Sequence, residues 1–403
     1  MILALLVGCG PKVPPTTRPD SADTARDTAT SRRPDDDCDG LDDDQNGIVD
    51  DGAAPGWWTD PSRWRTVATF EDAAEQRFVG ALAAGTEATW VVVQEVAADF
   101  TSAAVTVHRV EADGSVAVAW ISTGERGLPF VYAAAVDDAG DLWIGGAWYD
   151  PSTGARQLLA ARWDGVLSSL PADQDAERVR LYAAVSGGAG AWFGGYAETA
   201  GTTAVWTVWR LFGDEAALVD TASLGGEGRV EGLAGGDPTV IAAGWQQDAD
   251  GGTWGVIRTG DAEGDHVELS RRLGVRYTGV ADGPDGGLWL GVNDAGGGGW
   301  TVQDETNRAV DTAEGTLTLL AGSPGRAWAA GTVADETATD VLVRAGDEAG
   351  FGVSLSGVAA DGWDAEPHDL VVTPAGDVWL AVTETDPTGV SPTRARLLHL
   401  TCR

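Results

Sequence analysis

The 403-residue chain contains a single lysine, Lys12, a single methionine, three cysteines and four histidines. One lysine near the start of the chain removes the usual Schiff-base and phosphate-cradling chemistries. The histidines at 108, 266, 368 and 399 are too scattered to suggest a metal cage. Basic side chains number 26 against 62 acidic ones, for a formal charge of −36. Such an acidic surface argues against nucleic acid or an anionic membrane as partner. No apolar run approaches the ~20 residues of a transmembrane helix. Nor does any segment hold a helical apolar period beyond a turn or two.

What the chain has instead is a motif that returns about every 48 residues between Trp90 and Trp379. It reads as an apolar run, a tight glycine turn, Trp, an apolar residue and a small one. Clear copies are Ala133–Gly146, Ala183–Gly195, Gly279–Gly291, Leu319–Gly331 and Leu370–Val382. The tryptophan slot falls at Trp90, Trp143, Trp192, Ile241, Trp289, Trp328 and Trp379. Later in every copy but the fifth an apolar run ends in a basic residue: Arg109, Arg162, Arg210, Arg258, Arg344 and His399. The short fifth copy carries Gln303 near that place. In the second copy four short strands are legible over 132–136, 142–147, 157–163 and 166–170, with Asp164-Gly165 as a hairpin turn between the last two. Four-stranded units of this length in series predict an all-β fold, a seven-bladed β-propeller. The seventh copy ends after its third strand, while Trp64–Phe70 precedes the first copy without a partner. That segment is expected to supply the missing outer strand and so remove an exposed sheet edge.

The run Asp137-Asp138-Ala139-Gly140-Asp141-Leu142-Trp143-Ile144-Gly145 resembles the blades of two-component-regulator-type propellers and related envelope lipoproteins, and Asp285–Gly291 and Ala375–Ala381 fit it more loosely. The resemblance covers roughly residues 64–403. It implies a propeller that binds through loops on one face. Sialidase-like Asp boxes match less well, because Val136 stands where Ser or Thr belongs.

Leu6-Val7-Gly8-Cys9 resembles a bacterial lipobox, which implies acylation of Cys9 and an envelope address, the outer membrane in a Gram-negative cell because Gly10 is not Asp. Only eight residues without a basic side chain precede Cys9, which is short for a secretory signal. Either the start lies upstream of Met1 or Cys9 is a chance cysteine. The Pro/Thr/Ser/Asp-rich stretch that follows cannot bury enough apolar surface to fold, and a tether of that kind favours the lipoprotein. Next comes an aspartate segment with two phased copies: Asp35, Asp37 and Asp39 before Gly40, then Asp42, Asp44 and Asn46 before Gly47. Oxygen ligands at positions 1, 3 and 5 followed by Gly form the first half of a calcium loop, with Ile48 and Asp50 at positions 7 and 9. The bidentate Glu of position 12 is missing. The segment resembles thrombospondin type 3 and dockerin-like repeats and the Cys-Asp-Gly modules of secreted bacterial proteins, which implies a structural calcium ion; an acidic solvated linker is the alternative. If Cys9 is acylated, Cys38 and Cys402 remain as an even pair. They either form a disulfide that clasps the aspartate segment to the ring or stay as two thiols. The expected organisation is a lipoprotein signal over 1–9, a tether over 10–34, the aspartate segment over 35–56 and the propeller over 57–403.

No catalytic constellation stands out. The slot tryptophans read as packing between sheets. Trp57, Trp58, Trp148, Trp245 and Trp363 lie nearer loops and are the candidates for stacking a ligand. The expected function is a lipid-anchored, monomeric envelope protein whose propeller is a non-catalytic scaffold for a protein partner. The alternatives are a calcium-dependent glycan-binding adhesin, or a propeller hydrolase or lyase that would need Arg, Tyr and Glu to converge on one rim.

Overall fold

The computed structural model describes residues 57–400, apart from 72–74, 86–87, 98, 112–113, 123–125, 171–177, 199–202, 262–263, 284–286, 294–298, 324–325, 335–337, 348–349, 360–362, 374–375 and 387–392. Cys9, the 35–50 aspartate segment, Cys38 and Cys402 lie outside the described residues. Among the described residues no helix is long and apolar enough to cross a membrane.

After two single 3-10 turns, Trp57–Thr59 and Pro61–Arg63, every element is a strand. β1 spans Trp64–Phe70. The first sheet holds β2 (Glu75–Ala84), β3 (Thr89–Ala97), β4 (Ala103–Glu111) and β5 (Gly114–Ser122). The second holds β6 (Leu128–Val136), β7 (Leu142–Tyr149), β8 (Arg156–Trp163) and β9 (Leu167–Ser169). The third holds β10 (Arg178–Ser186), β11 (Gly190–Glu198), β12 (Val205–Phe212) and β13 (Glu215–Ala222). The fourth holds β14 (Gly225–Gly235), β15 (Thr239–Asp248), β16 (Thr253–Asp261) and β17 (Val267–Leu273). The fifth holds β18 (Arg276–Asp282), β19 (Leu288–Asn293), β20 (Gly299–Asp304) and β21 (Ala309–Glu314). The sixth holds β22 (Thr316–Ser323), β23 (Arg326–Ala334), β24 (Thr339–Asp347) and β25 (Gly350–Ser356). The closing sheet takes β26 (Asp364–Val372), β27 (Val378–Thr385) and β28 (Arg394–Leu400) and borrows β1 at its edge. One parallel bridge, Arg178 to Arg156, joins the second and third sheets at their ends.

Each sheet is an antiparallel meander, and consecutive sheets share an apolar layer. Val92, Val107, Val131 and Ile144 belong to the layer between the first two sheets. Phe70, Val79, Val91 and Leu397 belong to the layer between the closing sheet and the first. Sheets packed face to face in this radial way form a β-propeller. The slot tryptophans fill those layers: Trp143, Trp192, Trp289 and Trp328 are fully buried.

β1 takes its predicted place, antiparallel to β28, from Trp64 opposite Leu400 to Phe70 opposite Ala395. It even copies a defect of the outer strands elsewhere. The pairs β4–β5, β12–β13, β16–β17, β20–β21 and β24–β25 each skip one residue of the outer strand, and β28–β1 skips Val67 in the same manner. β1 is therefore an outer strand in geometry as well as position. Its sheet is fastened by Glu384, which is fully buried and bonds the Arg394 Nε at 2.6 Å and Arg396 Nη1 at 3.1 Å. Arg396 reaches on to the Thr66 Oγ1 of β1 at 2.9 Å and to the Val358 carbonyl at 2.9 Å. Just before β1, Trp57 is buried against Trp328, with ring centroids 6.4 Å apart, at the end of the sixth sheet where β23 begins.

The basic landmark of the repeats splits into two positions, one residue apart and so on opposite faces of the sheet. Arg162, Arg210 and His399 sit directly across from their slot tryptophans. They stack there: Arg162 lies 5.4 Å from the Trp143 centroid, Arg210 5.3 Å from Trp192, and the His399 ring is parallel to Trp379 at 3.8 Å. Arg258 and Arg344 fall one residue earlier and turn to the preceding sheet, where they form paired hydrogen bonds to Asp220 and Asp311. Gln303 occupies the latter position in the fifth sheet and accepts from Arg272 of the fourth at 3.3 Å.

Glu384→Ala should cost about 3 kcal/mol, because it strands two arginines in a largely buried setting. The check is the urea midpoint of the full-length protein, and a shift no larger than that of an exposed control, Glu366→Ala, would show that the clasp contributes nothing.

Candidate functional site

The innermost strands β2, β6, β10, β14, β18, β22 and β26 surround a central channel, and all of them line its narrow waist of about 120 Å³. Each departs from its ladder at the same point. The register with the second strand skips one residue between Val79 and Ala81, Val131 and Ala133, Leu181 and Ala183, Val230 and Gly232, Tyr277 and Gly279, Leu317 and Leu319, and Pro367 and Asp369. A bulge frees one residue from pairing and re-aims its side chain. The freed residues are Gly80, Tyr132, Tyr182, Glu231, Thr278, Thr318 and His368, and all of them line one recess of about 840 Å³ at the end of the channel where the inner strands start. Two residues earlier, on the same side of each strand, stand Phe78, Phe130, Arg180, Arg229, Arg276, Thr316 and Glu366. Gly80 is glycine for a steric reason: a Cβ there would lie 2.7 Å from the Val131 carbonyl oxygen.

The two tiers are polarised. Arg180, Arg229 and Arg276 form an arc over three consecutive sheets, and Phe78 and Phe130 form an aromatic arc over the two sheets before them. Phe100, half exposed in the β3–β4 turn, and Tyr149 extend the aromatic side. Phe130 packs edge-on to Tyr149 at 6.1 Å. Arg180 is held between two tyrosines, its guanidinium carbon 4.6 Å from the Tyr132 centroid and 5.3 Å from that of Tyr182. Arg156 stacks on Tyr149 at 5.6 Å. Among the described residues neither Arg180 nor Arg156 nor Arg276 has a carboxylate in ion-pair range. Arg229 does, bonding the Glu231 Oε1 at 2.5 Å and the Tyr182 hydroxyl at 3.3 Å. Glu231 also accepts from Trp245 Nε1 at 3.0 Å. Burial raises its pKa, against the pull of Arg229 and the Trp245 hydrogen bond. Desolvation likewise raises Tyr132 and Tyr182.

The far mouth differs. It is lined by Ala83, Ala84, Ala134, Ala135 and Ala184 with Asp282 at its edge, and holds about 270 Å³. Chemistry is thus concentrated at one end.

Of the predicted stacking residues, three are corrected by the structure. Trp57 is 1%, Trp148 8% and Trp245 7% exposed, so protein covers their rings. Trp57 sits under Arg326 and against Trp328. Trp245 is covered by Arg276 at 4.4 Å and Arg229 at 5.4 Å. Trp58 lies under Arg326 at 4.1 Å and Trp363 beneath Arg394 at 4.5 Å. The five therefore do not converge on a common surface, because indoles near strand ends are drawn into the layers between sheets. The residues that do converge, one per sheet, stand ten or eleven positions before each slot residue, and that spacing was the signal available in the sequence. A second missed feature is Asp248-Ala249-Asp250-Gly251-Gly252-Thr253-Trp254 in the β15–β16 turn. It repeats the chemistry of Asp137 to Trp143. In each, one carboxylate oxygen accepts two backbone N–H groups and the other accepts the indole N–H, at 2.9 Å for Trp143 and 2.8 Å for Trp254.

Next to the waist, Asp369 accepts Leu82 N–H at 2.6 Å across the junction of the closing and first sheets, and Leu370 N–H at 2.8 Å. Enclosure raises its pKa to about 6, although it retains those two donors. The neighbouring His368 is exposed to the channel, within which the inner strands crowd it. That crowding, with Arg180 adding repulsion, lowers it to about 4. The two act oppositely on stability. Asp369 binds its proton more tightly folded than unfolded, so its contribution falls as pH rises from 4 to 6. His368 binds its proton less tightly folded, so its contribution rises with pH between 4 and 6.5. Relative to the native chain, melting curves across that window should climb with pH for Asp369→Asn and fall with pH for His368→Gln; parallel profiles for both variants would refute the assignment.

No protein-family model matches the chain, and no curated protein matches it. Among solved structures it is similar to YCF48 bound to D1 peptide, at 14% identity and a TM-score of 0.47 over 86% of this chain and 99% of that one. It is similar also to the β-propeller domain of the Trilobed protease from Pyrococcus furiosus, at 9% identity and 0.48 over 81% and 94%. A gluconolactonase from Xanthomonas campestris is similar at 12% identity and 0.39 over 86% and 93%.

Proposed function

We propose that this chain is a lipid-anchored bacterial envelope protein whose seven-bladed propeller is a non-catalytic binding scaffold, with the polarised mouth of the channel as its recognition site. The observation that carries the reading is the set of bulges. Each inner strand frees one residue into the same recess, while the opposite mouth is lined mostly by alanine, valine and leucine. The seven-blade count follows from treating each four-stranded unit, β1 included, as one blade. Cys9 as the acylated anchor, the 35–50 segment as a structural calcium site and a Cys38–Cys402 disulfide belong to the same proposal. So does an outer-membrane address. Trp57, the first described residue, sits beside the start of β23 and thus on the face away from the recess.

The test is chemical cross-linking on intact cells, with mass spectrometry of what is recovered with the protein. Phe100→Asp suits the purpose, since the residue is half exposed and its φ of +57° is one that Asp tolerates. One dominant protein partner should be lost with Phe100→Asp combined with Glu366→Arg, and retained with Val166→Asp, an exposed change away from the mouth. Recovery of glycan with no protein partner would overturn the scaffold in favour of a glycan-binding adhesin.

A second reading is a hydrolase or lyase on extracellular polymers. It is favoured by the convergence of Tyr182, Arg229 and Glu231, where a carboxyl group of raised pKa is joined to a tyrosine through one guanidinium. Turnover of acidic polysaccharides measured as new reducing ends should be absent. Activity that Glu231→Gln abolishes would replace the scaffold reading.

A further inference from the structure

The geometry points to a ligand of defined chemistry: a carboxylate attached to an aromatic or large apolar group, with the carboxylate on Arg180 and the apolar part against Phe130 and Phe78. The inference rests on the reading of this mouth as a binding site and deepens it. Three observations carry it.

First, the protein has 36 more acidic than basic side chains at the level of formal charge, and the arginines that pack its layers are paired. Arg162, Arg210, Arg258 and Arg344 all meet aspartates between 2.5 and 2.8 Å. Arg156 and Arg180, by contrast, line the recess with no carboxylate in ion-pair range among the described residues. Second, Arg180 is fixed in place. Tyr132 of the neighbouring sheet and Tyr182 of its own strand both hold its guanidinium within cation–π range. A pre-set fork loses little freedom on binding and matches the two oxygens of a carboxylate. Arg229, already committed to Glu231, and Glu231 itself close off the side toward the fourth sheet. Third, the aromatic arc begins where the arginine arc ends, because Phe130 and Arg180 are equivalent positions of adjacent inner strands. A ligand that spans adjacent strands thus meets a cation and an aromatic wall in succession. Aromatic surface next to a few placed polar groups is the usual make-up of a small-ligand pocket, and 840 Å³ lies within the usual range for one.

A purely acidic polymer would leave Phe78, Phe130 and Phe100 without a partner and would be repelled by the rest of the surface. A neutral aromatic ligand would leave the arginine arc unused. The carboxylate could belong to a free aromatic acid or to the terminus of a peptide ending in an aromatic residue, and the experiment separates these sources.

The full-length protein is titrated calorimetrically with 3-phenylpropanoate, 3-phenylpropanamide, acetyl-Gly-Gly-Phe as the free acid, and the same peptide as its amide. Each acid should bind about tenfold or more tightly than its amide, as expected for loss of a charge-assisted paired contact. Arg180→Gln should weaken both acids by a similar factor while leaving the amides unchanged. Binding should weaken with added salt. Tighter binding of the peptide acid assigns the site to chain termini, and tighter binding of 3-phenylpropanoate assigns it to free aromatic acids. Equal affinity for acids and amides, indifference to Arg180→Gln, or no binding of either acid at millimolar concentration would overturn the proposal. Should Arg180→Gln fail to fold, Arg180→Lys, which keeps the charge but loses the planar fork, should still weaken both acids and leave the amides unchanged. Failure of the scaffold reading looks different. Acid binding that depends on Arg180, alongside cross-linking to a partner that mouth variants do not affect, would leave this inference standing and remove the scaffold. Mouth-dependent cross-linking that neither acid competes away would do the reverse.

Discussion

The chemistry of this protein hangs on one backbone irregularity, a bulge repeated in every innermost strand. A regular strand sends alternate side chains into the layers on its two faces. An inner strand of this propeller has packed neighbours on both faces, so a regular one would give the channel only its edge. Skipping one residue breaks that alternation locally and adds twist. The added twist helps the inner strands draw together at the centre. The freed side chain is the one that meets the channel. Below the bulge the strands carry alanine, glycine and leucine and close down to the waist; above it they open to carry arginine, phenylalanine and tyrosine.

Closure rests on a second economy of the same kind. The sheet that ends the chain would expose β28 as an edge, and β1 covers it with the pairing and the outer-strand bulge found in the other sheets. The junction is reinforced at three depths. Asp369 bonds Leu82 N–H near the channel, Phe70 and Leu397 share an apolar layer with the first sheet, and Arg396 ties β28 to Thr66 at the rim.

Charge follows the same division between layer and channel. Within the layers, arginine works as an amphipathic spacer whose stem and planar head cover tryptophan while its edge meets an aspartate. The cost of burying each partner is met by the other, and the pairs Arg258 with Asp220 and Arg344 with Asp311 bridge consecutive sheets. At the mouth the aspartates are missing and tyrosine takes their place. A tyrosine face holds a guanidinium without neutralising it, so the cation stays available to whatever enters.

The repeat, the four-stranded unit and the place of β1 were legible in the sequence because each is a local or periodic signal. A glycine turn before Trp, an alternating run and an unpartnered strand at the N-terminal end of the repeats carry their meaning without reference to distant residues. The basic landmark was legible only to within one residue. That single residue decides whether a side chain stacks on its own slot tryptophan or crosses to the preceding sheet, and pairing register, which the sequence does not state, settles it. Trp57, Trp148 and Trp245 misled for a related reason: proximity to a loop in the sequence says nothing of whether the neighbouring sheet covers the ring. The mouth was marked in the sequence only by a spacing of ten or eleven residues before each slot, since Gly80, Tyr132, Tyr182, Glu231, Thr278, Thr318 and His368 share no chemistry that would show them as equivalent. What makes them one site is a common bulge, and a bulge is a property of two paired strands. The sequence by itself determined the architecture, because repeated local patterning is enough to specify a repeated unit. Only the tertiary structure decided the site, because the site exists where the units meet.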